Sequence, residues 1–187
     1  MKKLMILLLL AALMLCGCEK EFAEKYTISE AKLGKEAQQI LDALDDEVAF
    51  FDYSVDSTVK SFSVDIWICE DSVWNSAGSI SGNIDGKTKG RIGVLYETDR
   101  CKVITFDGSG HTTYTGQQGV DFSTVTSSGM MKINDSGGIV LNEEIPLLVR
   151  TGSNDDEYRS FSMEEFRESG CKTGIAFTIT FSDKILN

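Results

Sequence analysis

The sequence predicts an all-β protein, mainly antiparallel: a β-sandwich with a short N-terminal helix packed on it. Three observations carry that prediction. Several segments alternate apolar and polar residues with a period of two, as strands with one buried face must. Clusters of Gly, Asp, Asn and Ser break them at short intervals. Helical periodicity is confined to one stretch near the N-terminus, so strands do not alternate with helices as they would around a parallel sheet.

The helix comes first. Thr27-Ile28-Ser29-Glu30 has the form of a capping box, in which Thr and Glu side chains satisfy the first unpaired amides. Leu33, Ala37, Ile40, Leu41 and Leu44 then fall on one apolar stripe, and Asp45-Asp46 opposes the helix dipole and ends it near Leu44. A stripe of this kind needs an apolar surface to pack on. From there the pattern is β. Phe62, Val64, Ile66 and Ile68 alternate with Ser63, Asp65 and Trp67; Ile92, Val94 and Tyr96 repeat the pattern; Ile175, Phe177, Ile179 and Phe181 give its cleanest form. Weaker strands are predicted at 47–54, 73–81, 101–107, 111–115, 129–134, 138–142 and 145–151. Turns fall at Asp85-Gly86, Asp107-Gly108, Asn134 to Gly137 and Gly152 to Asn154, and a second short helix is predicted at Ser162–Glu168. The single proline, Pro146, cannot donate to a ladder and belongs at an edge or a bulge. One domain over 27–187 is the simplest arrangement, with a partly closed barrel as the alternative.

The N-terminus carries an address rather than a fold. Met1-Lys2-Lys3 is a positive head, and Leu4 to Leu15 holds no charged or polar side chain. That run is shorter than the roughly 20 residues a membrane-spanning helix needs, and it suits the apolar region of a signal peptide. The next residues, Leu15-Cys16-Gly17-Cys18, resemble the lipobox of bacterial lipoproteins, with Cys18 as the modified cysteine. The resemblance covers residues 1–18 only. It implies a signal peptide over 1–17, cleavage by signal peptidase II, a diacylglyceryl thioether on Cys18 and a short tether over 18–26 (a palmitate-type anchor). The mature chain would then sit on the extracytoplasmic face of the cell membrane or the outer membrane.

The full chain has a formal net charge of −11. Loss of Lys2 and Lys3 leaves 16 basic residues against 29 acidic ones, a net charge near −13. A surface this acidic repels phosphates, so nucleic acid is excluded as a partner class. Beyond Cys18, the mature chain holds Cys69, Cys101 and Cys171, an odd number that allows one pair plus a buried thiol, or no pair at all; the connectivity stays open, with Cys101–Cys171 preferred because each lies beside a predicted strand.

Few residues suggest chemistry. If the chain reverses at Glu70-Asp71, Trp67 faces Trp74 and the two indoles stand on one side of the sheet, as a platform for a sugar ring or a partner's side chain. The competing expectation is that the N-terminal helix covers them. His111, the one histidine, lies near Asp107 and Ser109, but proximity within one turn is poor ground for a catalytic triad. Asn154-Asp155-Asp156-Glu157, with Asp135 or Asp107, offers oxygen ligands for calcium without the spacing of an EF-hand. Glu143-Glu144 and Glu164-Glu165 read as surface charges. No catalytic residue, metal site or cofactor is assigned. The expected function is non-enzymatic binding of a protein, peptide or glycan at the cell envelope; the alternatives are a hydrolase using acidic residues, or an accessory subunit of a surface assembly.

Overall fold

The computed structural model describes residues 26–43, 48–106, 108, 110–134, 137–154 and 161–186. Residues 1–25, on which the expected signal peptide, Cys18 and most of the expected tether fall, and residues 44–47, where the predicted helix ends, lie outside the described residues. In chain order the elements are β1 (Thr27–Glu30), α1 (Lys35–Asp42), β2 (Val48–Ser54), β3 (Ser61–Glu70), β4 (Val73–Asn83), β5 (Lys89–Tyr96), β6 (Cys101–Phe106), β7 (His111–Gly116), β8 (Ser127–Lys132), β9 (Gly137–Gly138), β10 (Glu144–Ser153) and β11 (Thr173–Ser182). They build two antiparallel sheets that form a β-sandwich. Sheet A runs β7-β6-β5-β2-β1-β9, and sheet B runs β4-β3-β11-β10-β8.

The alternating rows seen in the sequence are the inner faces. Val64, Ile66, Ile92, Val94, Ile175, Phe177, Ile179 and Phe181 are almost wholly buried, and one apolar cluster joins both sheets across the middle. Burying a side chain of this size contributes about 1.5–3 kcal/mol, so these few strands supply most of what holds the layers together. Pro146 sits where the β10–β11 register slips between Pro146 and Leu148, and β8 pairs with β10 only from Leu148 onward. The missing donor therefore falls at a bulge, where no ladder bond is lost.

Three elements differ from the sequence prediction. Residues 27–30 are a strand, not the first turn of a helix. Their backbone is zipped between β2 and β9, and Ile28 is fully buried in the core, so tertiary pairing outweighs the local capping pattern. The helix is the shorter α1, which starts after Gly34 with no side-chain cap. Predicted strand 138–142 shrinks to the two glycines of β9, and predicted helix 162–168 is a single 3-10 turn over Phe166–Glu168.

Candidate functional site

The outer face of sheet A carries the clearest concavity. Residues directly opposite on antiparallel strands share a face, and one such row runs Ser29, Asp52, Arg91, Phe106, His111 across β1, β2, β5, β6 and β7. Asp52 and Arg91 answer each other with two hydrogen bonds, Nε to Oδ1 at 2.6 Å and Nη2 to Oδ2 at 2.9 Å. Beside them the ring of Phe50 lies over Gly93, where a Cβ would come within 2.8 Å of it. Phe50 and Phe106 tilt against each other at 6.2 Å. These side chains are the floor of a groove.

The wall is α1 with the turn before it. Leu33, Ala37, Ile40 and Leu41 line the groove opposite Phe50 and Phe106, so the apolar stripe read from the sequence does face a sheet. It does not close on it. No residue of α1 is buried, and Ile40 is 65% exposed. What remains between helix and sheet is an open space of about 880 Å³, in the size range of small-molecule sites. Lys89 stands at the rim and has no ion-pair partner among the described residues.

The tryptophans sit on the opposite side of the molecule. The turn between β3 and β4 is Asp71-Ser72, both with positive φ (47° and 69°), and not Glu70-Asp71. Trp67 therefore faces Ser76, and Trp74 faces Cys69. The slip is two residues, so parity survives and both indoles lie on the outer face of sheet B, diagonal rather than opposed. The α1 helix does not cover them. Residues 161–169 do: Phe166 is fully buried and meets the Trp74 ring edge-on at 4.8 Å, while the Arg167 guanidinium lies 4.1 Å over Trp67. Both indoles are half-buried.

Under that cover lies a polar knot the sequence reading did not single out. Arg167 grips Glu144 with two bonds of 2.8 and 2.9 Å, and Thr178 and the Trp67 indole donate to the same carboxylate at 2.7 and 3.1 Å. Burial works to raise the Glu144 carboxyl, but the bonds from Arg167 and Thr178 and the guanidinium charge outweigh it and hold the group below its ordinary range. Asp65 moves the other way: burial pushes it up, helped by the Glu144 charge and opposed by a bond from Ser63. The sequence showed only that Thr178 and Asp65 point away from the buried rows. That Arg167 returns to meet them depends on the path of the covering segment.

His111 is exposed on edge strand β7, its ring 6.0 Å from Phe106; Asp107 and Ser109 lie outside the described residues. So do Asp135 and Asp155 to Glu157 of the calcium expectation, while Asn154 accepts a bond from the Thr126 amide. Among the described residues no three His, Cys, Asp or Glu side chains group so as to hold a metal ion. Cys69, Cys101 and Cys171 are buried free thiols, so the expected Cys101–Cys171 bond is absent; Cys171 lies beside Cys69, and Cys101 lies in the sandwich core against Gly116. No helix among the described residues is long and apolar enough to cross a membrane. No family model, curated protein or solved structure matches the chain.

Proposed function

We propose that the chain is a lipid-anchored envelope protein that acts by binding, and that the groove between α1 and sheet A takes the acyl chain of an anionic amphiphile. The observation that carries this is the unburied apolar stripe of α1 facing an aromatic floor. An amphipathic helix standing over apolar side chains leaves both surfaces wet, and filling the space removes both from water. The floor favours an aliphatic occupant over a glycan. Its two charged groups, Asp52 and Arg91, already satisfy each other, whereas a sugar needs polar partners to replace its hydration. Lys89 at the rim supplies a cation for an anionic head group. The anchor itself rests on the lipobox resemblance: a diacyl group on Cys18 gives the two chains that stable attachment takes.

The hydrolase alternative draws on Asp65 and Glu144, two carboxyls pushed in opposite directions. Glu144, however, has both oxygens engaged by Arg167, Thr178 and Trp67, and neither acid lines the groove. Their geometry suits a latch better than a reaction. To test the binding reading, residues 19–187 made without lipid are titrated with a fluorescent long-chain fatty acid. Saturable binding is expected, lost in Ile40→Asp, whose exposed position leaves the fold intact. Absence of binding, or equal binding by wild type and variant, would refute the groove as the site.

A further inference from the structure

The three cysteines of the described fold do not stand alike. Cys101, on β6, is buried in the sandwich core, where its sulfur lies against Gly116 closely enough that a Cβ there would approach it to 2.7 Å. Cys69, at the end of β3, and Cys171, just before β11, meet each other on sheet B. The Cys69 thiol donates to the Cys171 carbonyl oxygen at 3.4 Å. The backbone around them is already fastened. Glu70 pairs with Thr173, and the amides of Asp71 and Ser72 each donate at 2.8 Å, to the carbonyls of Lys172 and Cys171.

We infer that Cys69 and Cys171 form a disulfide in the protein, and that Cys101 remains a buried thiol. The inference goes beyond the binding function but shares with it the premise of an exported, oxidising compartment. A bridge demands close Cα atoms and converging side chains, and the backbone bonds on either side hold the two segments together at this place. The bond closes a separation of 102 residues. It would tie down the Asp71-Ser72 turn, whose two positive φ angles are unfavourable for residues with a Cβ, and anchor the end of the 161–169 cover over Trp67 and Trp74.

The oxidant is a second disulfide, small or protein-borne. The Cys171 thiolate attacks one of its sulfurs and expels a thiolate, which leaves a mixed disulfide on Cys171. Cys69 gives up its proton and attacks the Cys171 sulfur, which expels the second thiolate. Two protein thiols become one S–S bond, and the oxidant leaves as two thiols, which take up the two protons. Cys171 is the better nucleophile, because the neighbouring Cys69 thiol draws it down to about 7, while the same neighbour and burial push Cys69 up.

The test is a peptide map of the full-length chain without reductant, after alkylation of free thiols. One sample is isolated from the envelope of expressing cells. The other is purified fully reduced in detergent and exposed to glutathione disulfide. Trypsin cuts after Lys60, Lys87, Arg167 and Lys172, so the expected product joins segments 61–87 and 168–172, with Cys101 alkylated. That product in both samples supports the bridge. The product in the oxidised sample alone supports the pairing and overturns the premise of an oxidising address. Three alkylated thiols at 69, 101 and 171 in both samples, or a bridge that uses Cys16, Cys18 or Cys101, overturns the inference.

Discussion

The Arg167–Glu144 contact fastens the segment over the Trp67 and Trp74 face, and its strength can be worked from the geometry. Arg167→Met keeps much of the aliphatic stem but removes two charge-assisted bonds of 2.8 and 2.9 Å. Buried, such bonds would contribute about 1.5–3 kcal/mol. Here the side chains are 36% and 31% exposed, so screening by solvent reduces the pair to about 1–2 kcal/mol. The guanidinium also rests on Trp67 at 4.1 Å and Phe166 at 4.3 Å, which adds about 0.5–1 kcal/mol. Arg167→Met is therefore expected to cost about 2 kcal/mol. Glu144→Gln, which keeps partners for Trp67 and Thr178, is expected to cost about 1 kcal/mol. The assay is urea unfolding at neutral pH for wild type, both single variants and the double variant. A coupling energy near 1 kcal/mol is expected. Additivity within about 0.3 kcal/mol would mean that the two groups touch without holding anything, and would refute the latch. The pH dependence carries a sign. The Glu144 carboxyl lies below its ordinary value of 4.5 in the fold, so its contribution is complete above that value and disappears as pH falls through the lower, folded value. Coupling measured in strong acid should vanish.

Two further outcomes follow from the same structure. Asp65 has a raised pKa, so its charge opposes folding at neutral pH, and the penalty is relieved as pH falls through the folded value. Asp65→Asn is expected to raise the urea midpoint at pH 7 and to lose that advantage in acid; a lower midpoint at pH 7 would show that the bond with Ser63 outweighs burial. For the groove, ligand and helix stability are linked. Saturating fatty acid is expected to increase amide hydrogen-exchange protection across Lys35–Asp42, and no rise there would place the ligand elsewhere.

The central strands were legible because a buried face writes itself every second residue. Phe62 to Ile68 and Ile175 to Phe181 show it plainly, and all eight apolar residues at the alternating positions of those two runs are inward. What was not legible depended on partners distant in sequence. Residues 27–30 satisfy a helix-start pattern and a strand pattern equally well; only β2 and β9 decide between them. The Trp67 register turned on Asp71 and Ser72 adopting left-handed backbone angles, which they can hold because carbonyls at 171 and 172 receive their amides. The groove was half legible. Its apolar stripe is in the sequence, but nothing local says that the stripe stays unburied.

The two outer faces show why that last point bears on function. Each sheet carries apolar side chains outward, and the chain treats them differently. On sheet B the cover drives Phe166 to full burial and secures it with Arg167. On sheet A the cover is α1, which has eight residues, no capping side chain, no basic residue in its last turn and no buried side chain. An isolated helix shorter than about 12–15 residues is marginal in water, and this one lacks the packing that would compensate. A short helix held over an aromatic floor with its apolar stripe still wet is a surface whose packing a bound ligand would complete under the proposed function. The unsatisfied area is apolar and its rim is cationic at Lys89, and that combination is what makes an anionic amphiphile a better fit than a sugar or a polar peptide.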